Sequence, residues 1–410
     1  MGSRPSIMGR SVAVAILVPL ILVTAQNVGS ESAVNLSSAI YLDEVDLGIE
    51  GIAPSPLGEL VIGYGAESSI FAIDASNPLN NSKLDWEGKE TFQDGDFHPG
   101  GRSALVVGDD GAVVRISMSN FSVSRVDGGF YFGQTELLSI SWNGDGSWSY
   151  IGGESGLIWR ARWIEEGAEV HQMEGRGGSD VNSIDCFAQW NICLVATSFD
   201  GIGVITSDHE MHWLGGVGYP WVGVACPSIY DDTCVAVSSD KNVALIEVNP
   251  YNPSVSEIGI VSLPDLEGQL NGLSFQSEGR SLISMTPFSM IEHSISLGNS
   301  YPWLENSDAI EFDSQMANGR IIGTWPTSEN SGWAMTSFGG FVHFSPKEVT
   351  NDSEGILGIW VIIVVIGGAI LLSLSAVASS STKLSSWITK KIGNEEEKKR
   401  ETRKSRKKSK

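Results

Sequence analysis

This sequence predicts an all-β exported domain followed by one membrane-crossing helix, on three observations. Short apolar segments of strand-like composition recur at a near-constant spacing between residues 48 and 345. Gly and Trp are plentiful, at 47 and 13 of 410 residues, which suits tight turns and packed strands better than helices. Residues Ile356–Ala378 form a run of 23 without a charge.

The elements follow in chain order. Residues 1–25 read as a signal peptide: Arg4 and Arg10 make a positive region, Ser11–Ala25 is apolar, and Val23 and Ala25 are small enough to precede a cleavage site. An uncleaved anchor is the alternative, disfavoured by the short run and by Pro19. In the segment 26–47, residues Ala33–Asp46 offer a strand to the domain that follows.

Residues 48–345 are repetitive. Asp96–Ile116, Leu138–Ala161, Ile184–Thr206 and Val222–Val248 each read as turn, apolar strand, Gly- or acid-bearing turn, apolar strand. Gly51–Asp74, Leu270–Ile295 and Gly319–Ser345 are weaker copies. The central turns fall near Ser68, Gly111, Gly156, Gly201, Asn242, Met290 and Gly340, in steps of 41 to 50 residues. That period fits a four-stranded blade, and blades bury their faces by stacking around an axis into a ring. The expected fold is therefore an all-β, about seven-bladed β-propeller ectodomain plus a C-terminal transmembrane helix. Six or eight blades stay open.

Within this region, His98-Pro99-Gly100-Gly101-Arg102 followed by Ala104–Gly111 resembles the WD-repeat and YVTN-type propeller pattern. Ser141–Gly146 and Phe275–Gly279 are similar. Regular Gly-His and Trp-Asp signatures are missing. The resemblance implies an interaction platform, although some propellers are enzymes.

After a linker at 346–355 comes the apolar segment 356–378. At 1.5 Å per residue it reaches about 34 Å, enough for roughly 30 Å of hydrocarbon. Trp360 and Trp387 fall near its two interfaces, and Lys383, Lys390 and Lys391 place its C-terminal side in the cytoplasm. Gly367 and Gly368 make a small face for a second helix. Residues 379–410 are a basic cytoplasmic tail. Its Leu384, Trp387, Ile388 and Ile392 share one helical face, and its last part, Glu395–Lys410, reads as polar chain without regular structure. The bilayer is thus one expected partner, the tail adding an electrostatic anchor.

Charge is unevenly placed. The whole chain carries -23. Residues 26–355 hold 12 Lys or Arg against 45 Asp or Glu, or -33, whereas 383–410 hold 12 against 4, or +8. Phosphate is repelled by so acidic a domain, so nucleic acid is excluded as its partner.

Cys186, Cys193, Cys226 and Cys234 occupy matching places in consecutive repeats, so local disulfides 186–193 and 226–234 are expected among the three pairings that four cysteines allow. A zinc site is the rival, but no Cys-x-x-Cys exists. Glycosylation triplets occur at Asn35, Asn80, Asn120 and Asn351.

Chemistry-bearing motifs are sparse. His209-Glu210-Met211-His212 spaces its histidines three apart, not the four of a zinc-protease helix, and reads as a surface turn. Asp94-Gly95-Asp96 and Asn143-Gly144-Asp145-Gly146 carry oxygen ligands suited to Ca²⁺, yet ordinary turns use the same residues. No nucleophile elbow, P-loop or dinucleotide fingerprint occurs. No metal or cofactor is expected, and no catalytic residue is assigned. Trp213, Tyr219, Trp221, Tyr230, Tyr301 and Trp303 lie at or near expected turns and are the candidate binding residues for a protein or surface polymer, although half of them suit blade packing. The sequence therefore favours a membrane-anchored, extracytoplasmic, non-enzymatic binding module. The alternative is a hydrolase or lyase acting on glycans.

Overall fold

The computed structural model describes residues 32–347 apart from 38, 44–45, 127–128, 165–166, 227–231, 278–279, 296 and 329, together with residues 395–408. The signal-peptide stretch 1–25, the apolar segment 356–378, Tyr230 and Asn351 lie outside these residues. Among the described residues, no helix is long and apolar enough to cross a membrane.

Residues 32–347 form seven antiparallel sheets arranged as a β-propeller. Blades 1 to 6 cover 49–83, 92–125, 137–172, 181–215, 221–262 and 269–304, each with four strands in sequence order. Blade 7 takes three strands from 321–346, and Val34–Leu36 from the N-terminal segment pairs as its outermost strand, in register Val34↔Pro346 and Leu36↔Phe344. Ile40–Tyr41 continues along the same edge. The first strand of every blade packs on the first strand of the next, and that of blade 7 packs on that of blade 1, so the ring closes. Trp325 seals this junction by donating its indole N–H to the Ala75 carbonyl at 2.9 Å.

The core lies between blades. A four-stranded blade has two apolar faces and little thickness, so it buries them only against neighbours. Seven buried clusters result, one for each junction. Leu194 and Ala196 of blade 4 meet Trp221 and Ala236 of blade 5, for example, and Met335 and Phe341 of blade 7 meet Ile49 and Phe71 of blade 1.

The central turns of blades 1, 2 and 3 are tight, with three residues, 66–68, 109–111 and 154–156, between the paired strand ends. Glu67 and Ser68, Asp110 and Gly111, and Ser155 and Gly156 all have positive φ. Ser69 N–H closes the first on the Ala66 carbonyl at 3.0 Å, and Leu157 N–H closes the third on that of Glu154 at 3.2 Å. These are type I′ turns, whose twist matches the strands and whose left-handed positions explain Gly111 and Gly156.

All inner strands run the same way, which sorts the turns onto two faces. Connections between blades, and turns joining second to third strands, lie where the inner strands begin, the upper face. Turns joining first to second and third to fourth strands lie on the lower face. The chain enters blade 7 near Ser32 and leaves it at Lys347, both at the lower end.

Glu395–Lys408 is a separate helix. The sequence predicts no regular structure for this stretch, and the helix corrects that reading. Lys, Arg and Glu are strong helix formers, and Glu395 and Glu396 at the start with lysines at the end complement the helix dipole.

Candidate functional site

Inner strands are edge strands, so their outward N–H groups need partners from the neighbouring blade. In six of the seven a bulge follows the first residue, as at Phe92/Asp94 and Val181/Ser183, and in blade 6 it follows the second, Leu270. It turns the third and fifth side chains toward the next blade. Asp94 Oδ2 accepts from Ile140 N–H at 2.8 Å and Asp96 Oδ2 from Trp142 N–H at 2.8 Å. Asp185 Oδ2 accepts from Cys226 N–H at 2.6 Å, and Ser183 Oγ from Val224 N–H at 3.2 Å. Asp94-Gly95-Asp96 is thus part of a strand rather than a turn, and its carboxylates brace blade 2 to blade 3. Tyr64 of blade 1 adds its hydroxyl to Asp94 Oδ1 at 3.1 Å.

Burial pushes these three carboxyls up: Asp94 to about 6, Asp185 to about 7 and Asp96 to about 8. Mutual repulsion adds to the shifts of Asp96 and Asp185, while the backbone N–H groups pull all three back down.

A cleft of about 410 Å³ lies between the outer parts of blades 3 and 4, lined by Arg160, His171, Gly175, His209, Glu210 and His212 among others. Strand register assembles it. Tyr150, Arg160 and His171 are paired neighbours on three adjacent strands of blade 3, so they share the face that looks toward blade 4. His209, at φ 64, projects from the outer turn of blade 4 to meet them.

Trp148 lies beside this row. The Arg160 guanidinium is 5.1 Å and that of Arg162 5.9 Å from its ring. The His209 imidazole meets Trp148 edge-on at 5.0 Å. The turn carrying Trp148 is held firmly. Asn143 Oδ1 accepts from Trp148 N–H at 3.0 Å, and Asn191 of blade 4 donates to Asp145 Oδ2 at 2.7 Å. Asp145 also caps Ser147 N–H at 2.8 Å, so hydrogen bonds within the protein occupy the carboxylate that a Ca²⁺ site would need.

Tyr150 OH and His209 Nδ1 are 2.7 Å apart. Burial raises the tyrosine, and burial and then the Arg160 charge lower the histidine. Both shifts favour the uncharged forms of the phenol and the imidazole, which share this hydrogen bond. Glu169, lowered chiefly by its 3.0 Å contact with His171, supplies one counter-charge. The cleft thus offers guanidinium and imidazole donors around an indole face, which suits an anionic or strongly polar group.

The residues singled out from sequence are dispersed. Trp221 and Trp303 are buried in the junctions of blades 4–5 and 6–7. Tyr219 packs against Trp221 with the rings tilted, their centroids 5.6 Å apart. Trp213 is half-buried and donates to the Gly175 carbonyl at 3.0 Å, at the edge of the cleft. Tyr301 is exposed on the outer strand of blade 6. His209-Glu210-Met211-His212, which reads from sequence as a surface turn, lines the cleft, while Arg160 and His171 belong to no motif. The signal available was Arg160 and Arg162 on alternate positions beside Trp148, in a domain poor in cations.

Both local disulfides form, Cys186–Cys193 and Cys226–Cys234, each joining first and second strands at the lower face. Asn35, Asn80 and Asn120 are exposed. Among the described residues, no three His, Cys, Asp or Glu side chains are grouped to hold a metal ion.

No protein-family model matches this chain, and comparison with curated proteins finds no match either. Seven blades show the propeller architecture.

Proposed function

We propose that this protein is a membrane-anchored, extracytoplasmic propeller that binds a protein or surface polymer without transforming it. The blade 3–4 cleft carries this reading, because the Arg160 guanidinium and the imidazoles of His171, His209 and His212 line one recess, with the Trp148 indole beside Arg160 and His209. The two disulfides suit an oxidising compartment. The charge-free 356–378 segment and the basic tail supply the anchor and its orientation. The WD-repeat-like and YVTN-like motifs point to the same platform role.

The test is crosslinked affinity capture of the full-length protein from its native membrane, read by mass spectrometry. A stoichiometric partner retained by the wild type and lost with Trp148→Ala or Arg160→Ala supports the reading. A preparation free of any partner sensitive to these substitutions sinks it.

A glycan hydrolase or lyase is the second reading, and one observation favours it: Asp94, Asp96 and Asp185 gather on the inner strands with Tyr64 beside them, at raised pKa values. Glycan cleavage abolished by Asp96→Asn would establish it over the binding role.

A further inference from the structure

We propose that an arc of the lower rim, centred on blade 7, rests on the surface of the bilayer that holds the protein. The proposal builds on the membrane-anchored reading above.

The turns joining third to fourth strands differ around the ring. In blades 1, 2, 5 and 6 these are residues 75–80, 118–122, 248–256 and 295–298, and none contains a charged residue. Each presents a large apolar side chain to solvent: Leu79 is 68% exposed, Phe121 42%, Tyr251 98% and Leu297 65%. In blade 4 the same turn is charged, with Asp208 and Glu210. In blade 7 this position is where the chain enters and leaves, at Ser32 and Lys347. Blades 5, 6, 7, 1 and 2 are consecutive in the closed ring. The uncharged turns therefore form one arc, with the chain ends at its middle.

Lys347 is followed by eight residues, 348–355, before the apolar segment begins. Eight residues span at most about 28 Å. A propeller tethered so closely at blade 7 must bring that part of its lower rim near the membrane. Tyr, Phe and Leu on uncharged turns are side chains that partition into the bilayer interface. The upper face is unsuited. Glu67, Asp110, Glu154, Asp200 and Asp240 occupy its central turns in blades 1 to 5, with Phe199 beside Asp200, and its other exposed apolar residues, Phe130, Tyr131 and Val217 among them, lie on the face away from Lys347. Anionic headgroups would repel that face.

The test uses the full-length chain in phosphatidylcholine vesicles, some of whose lipids carry a nitroxide at shallow depth. Single cysteines bearing a fluorophore replace Leu79, Phe121, Tyr251 or Leu297, with Phe199→Cys as the upper-face control. Alkaline extraction shows separately whether the chain is held in the bilayer. Quenching at the four arc positions severalfold stronger than at position 199, in a chain resisting extraction, is the expected result. Equal weak quenching everywhere in a chain that resists extraction overturns the docking while leaving the anchor intact. A chain that is extracted overturns both. Blue-shifted but unquenched arc labels mean that a second copy or another protein covers the arc, and also overturn the proposal. So would glycans found on Asn80 and Asn120, which lie in two of these turns. Leu79→Ser combined with Tyr251→Ser and Leu297→Ser should lower quenching at a Phe121→Cys label severalfold with extraction unchanged.

Discussion

Replacing Asp185 by asparagine should stabilise the protein at pH 8 and not at pH 4.5. Burial raises this carboxyl from its ordinary 3.8 to about 7. The folded state therefore holds a proton that the unfolded state has released, and wild-type stability falls as pH rises from about 4 to about 7. At about 1.4 kcal/mol per pH unit, the full loss is on the order of 4 kcal/mol. Asparagine cannot ionise and escapes it. Its Oδ1 can still accept from Cys226 N–H, the 2.6 Å bond of the native side chain. Its amide nitrogen cannot accept from Cys186 N–H, now 3.0 Å from the second carboxylate oxygen, which costs about 1 kcal/mol. The net expectation is a gain of about 3 kcal/mol at pH 8 and a loss of up to about 1 kcal/mol at pH 4.5. Urea unfolding of the full-length protein, followed by tryptophan fluorescence at both pH values, reads the difference directly. An equal change at the two pH values, or a clear loss at pH 8, would show that Asp185 is an ordinary ionised brace and refute the argument.

Other consequences follow from the same geometry. Trp325→Phe removes the indole bond to the Ala75 carbonyl and leaves that buried acceptor short of a partner. It should cost about 1–3 kcal/mol in chemical denaturation, and a neutral result would show that the blade 7–1 seam closes without it. Arg160→Gln removes a positive charge that lowers His209, so the imidazole should titrate at higher pH, as seen by NMR. Cys186→Ser with Cys193→Ser opens a bridge with a sequence separation of 7. It should lower stability by about 2–3 kcal/mol, and a full loss of folding would assign that bridge a larger role.

Much of the architecture was legible from the chain. Strand-length apolar segments at blade spacing announced a ring of about seven units, because a blade can bury its faces only by repetition. Cys186 with Cys193 and Cys226 with Cys234 were legible because the ends of two successive strands must face each other across a short turn. The charge-free 356–378 stretch and the basic tail are likewise properties of sequence alone, and 356–378 lies outside the described residues. Tertiary structure decided what depends on neighbouring blades. Trp221 and Trp303 lie in junctions, a placement that their position near turns could not convey. Asp94 and Asp96, which read as a turn, became braces because the next inner strand presents unpaired N–H groups at their height. His209 meets Trp148 and Tyr150 only because the outer turn of blade 4 folds against the face of blade 3. Register along a strand is a local matter that the order of residues carries. Contact across a junction depends on how two twisted sheets pack, and no single repeat contains that information.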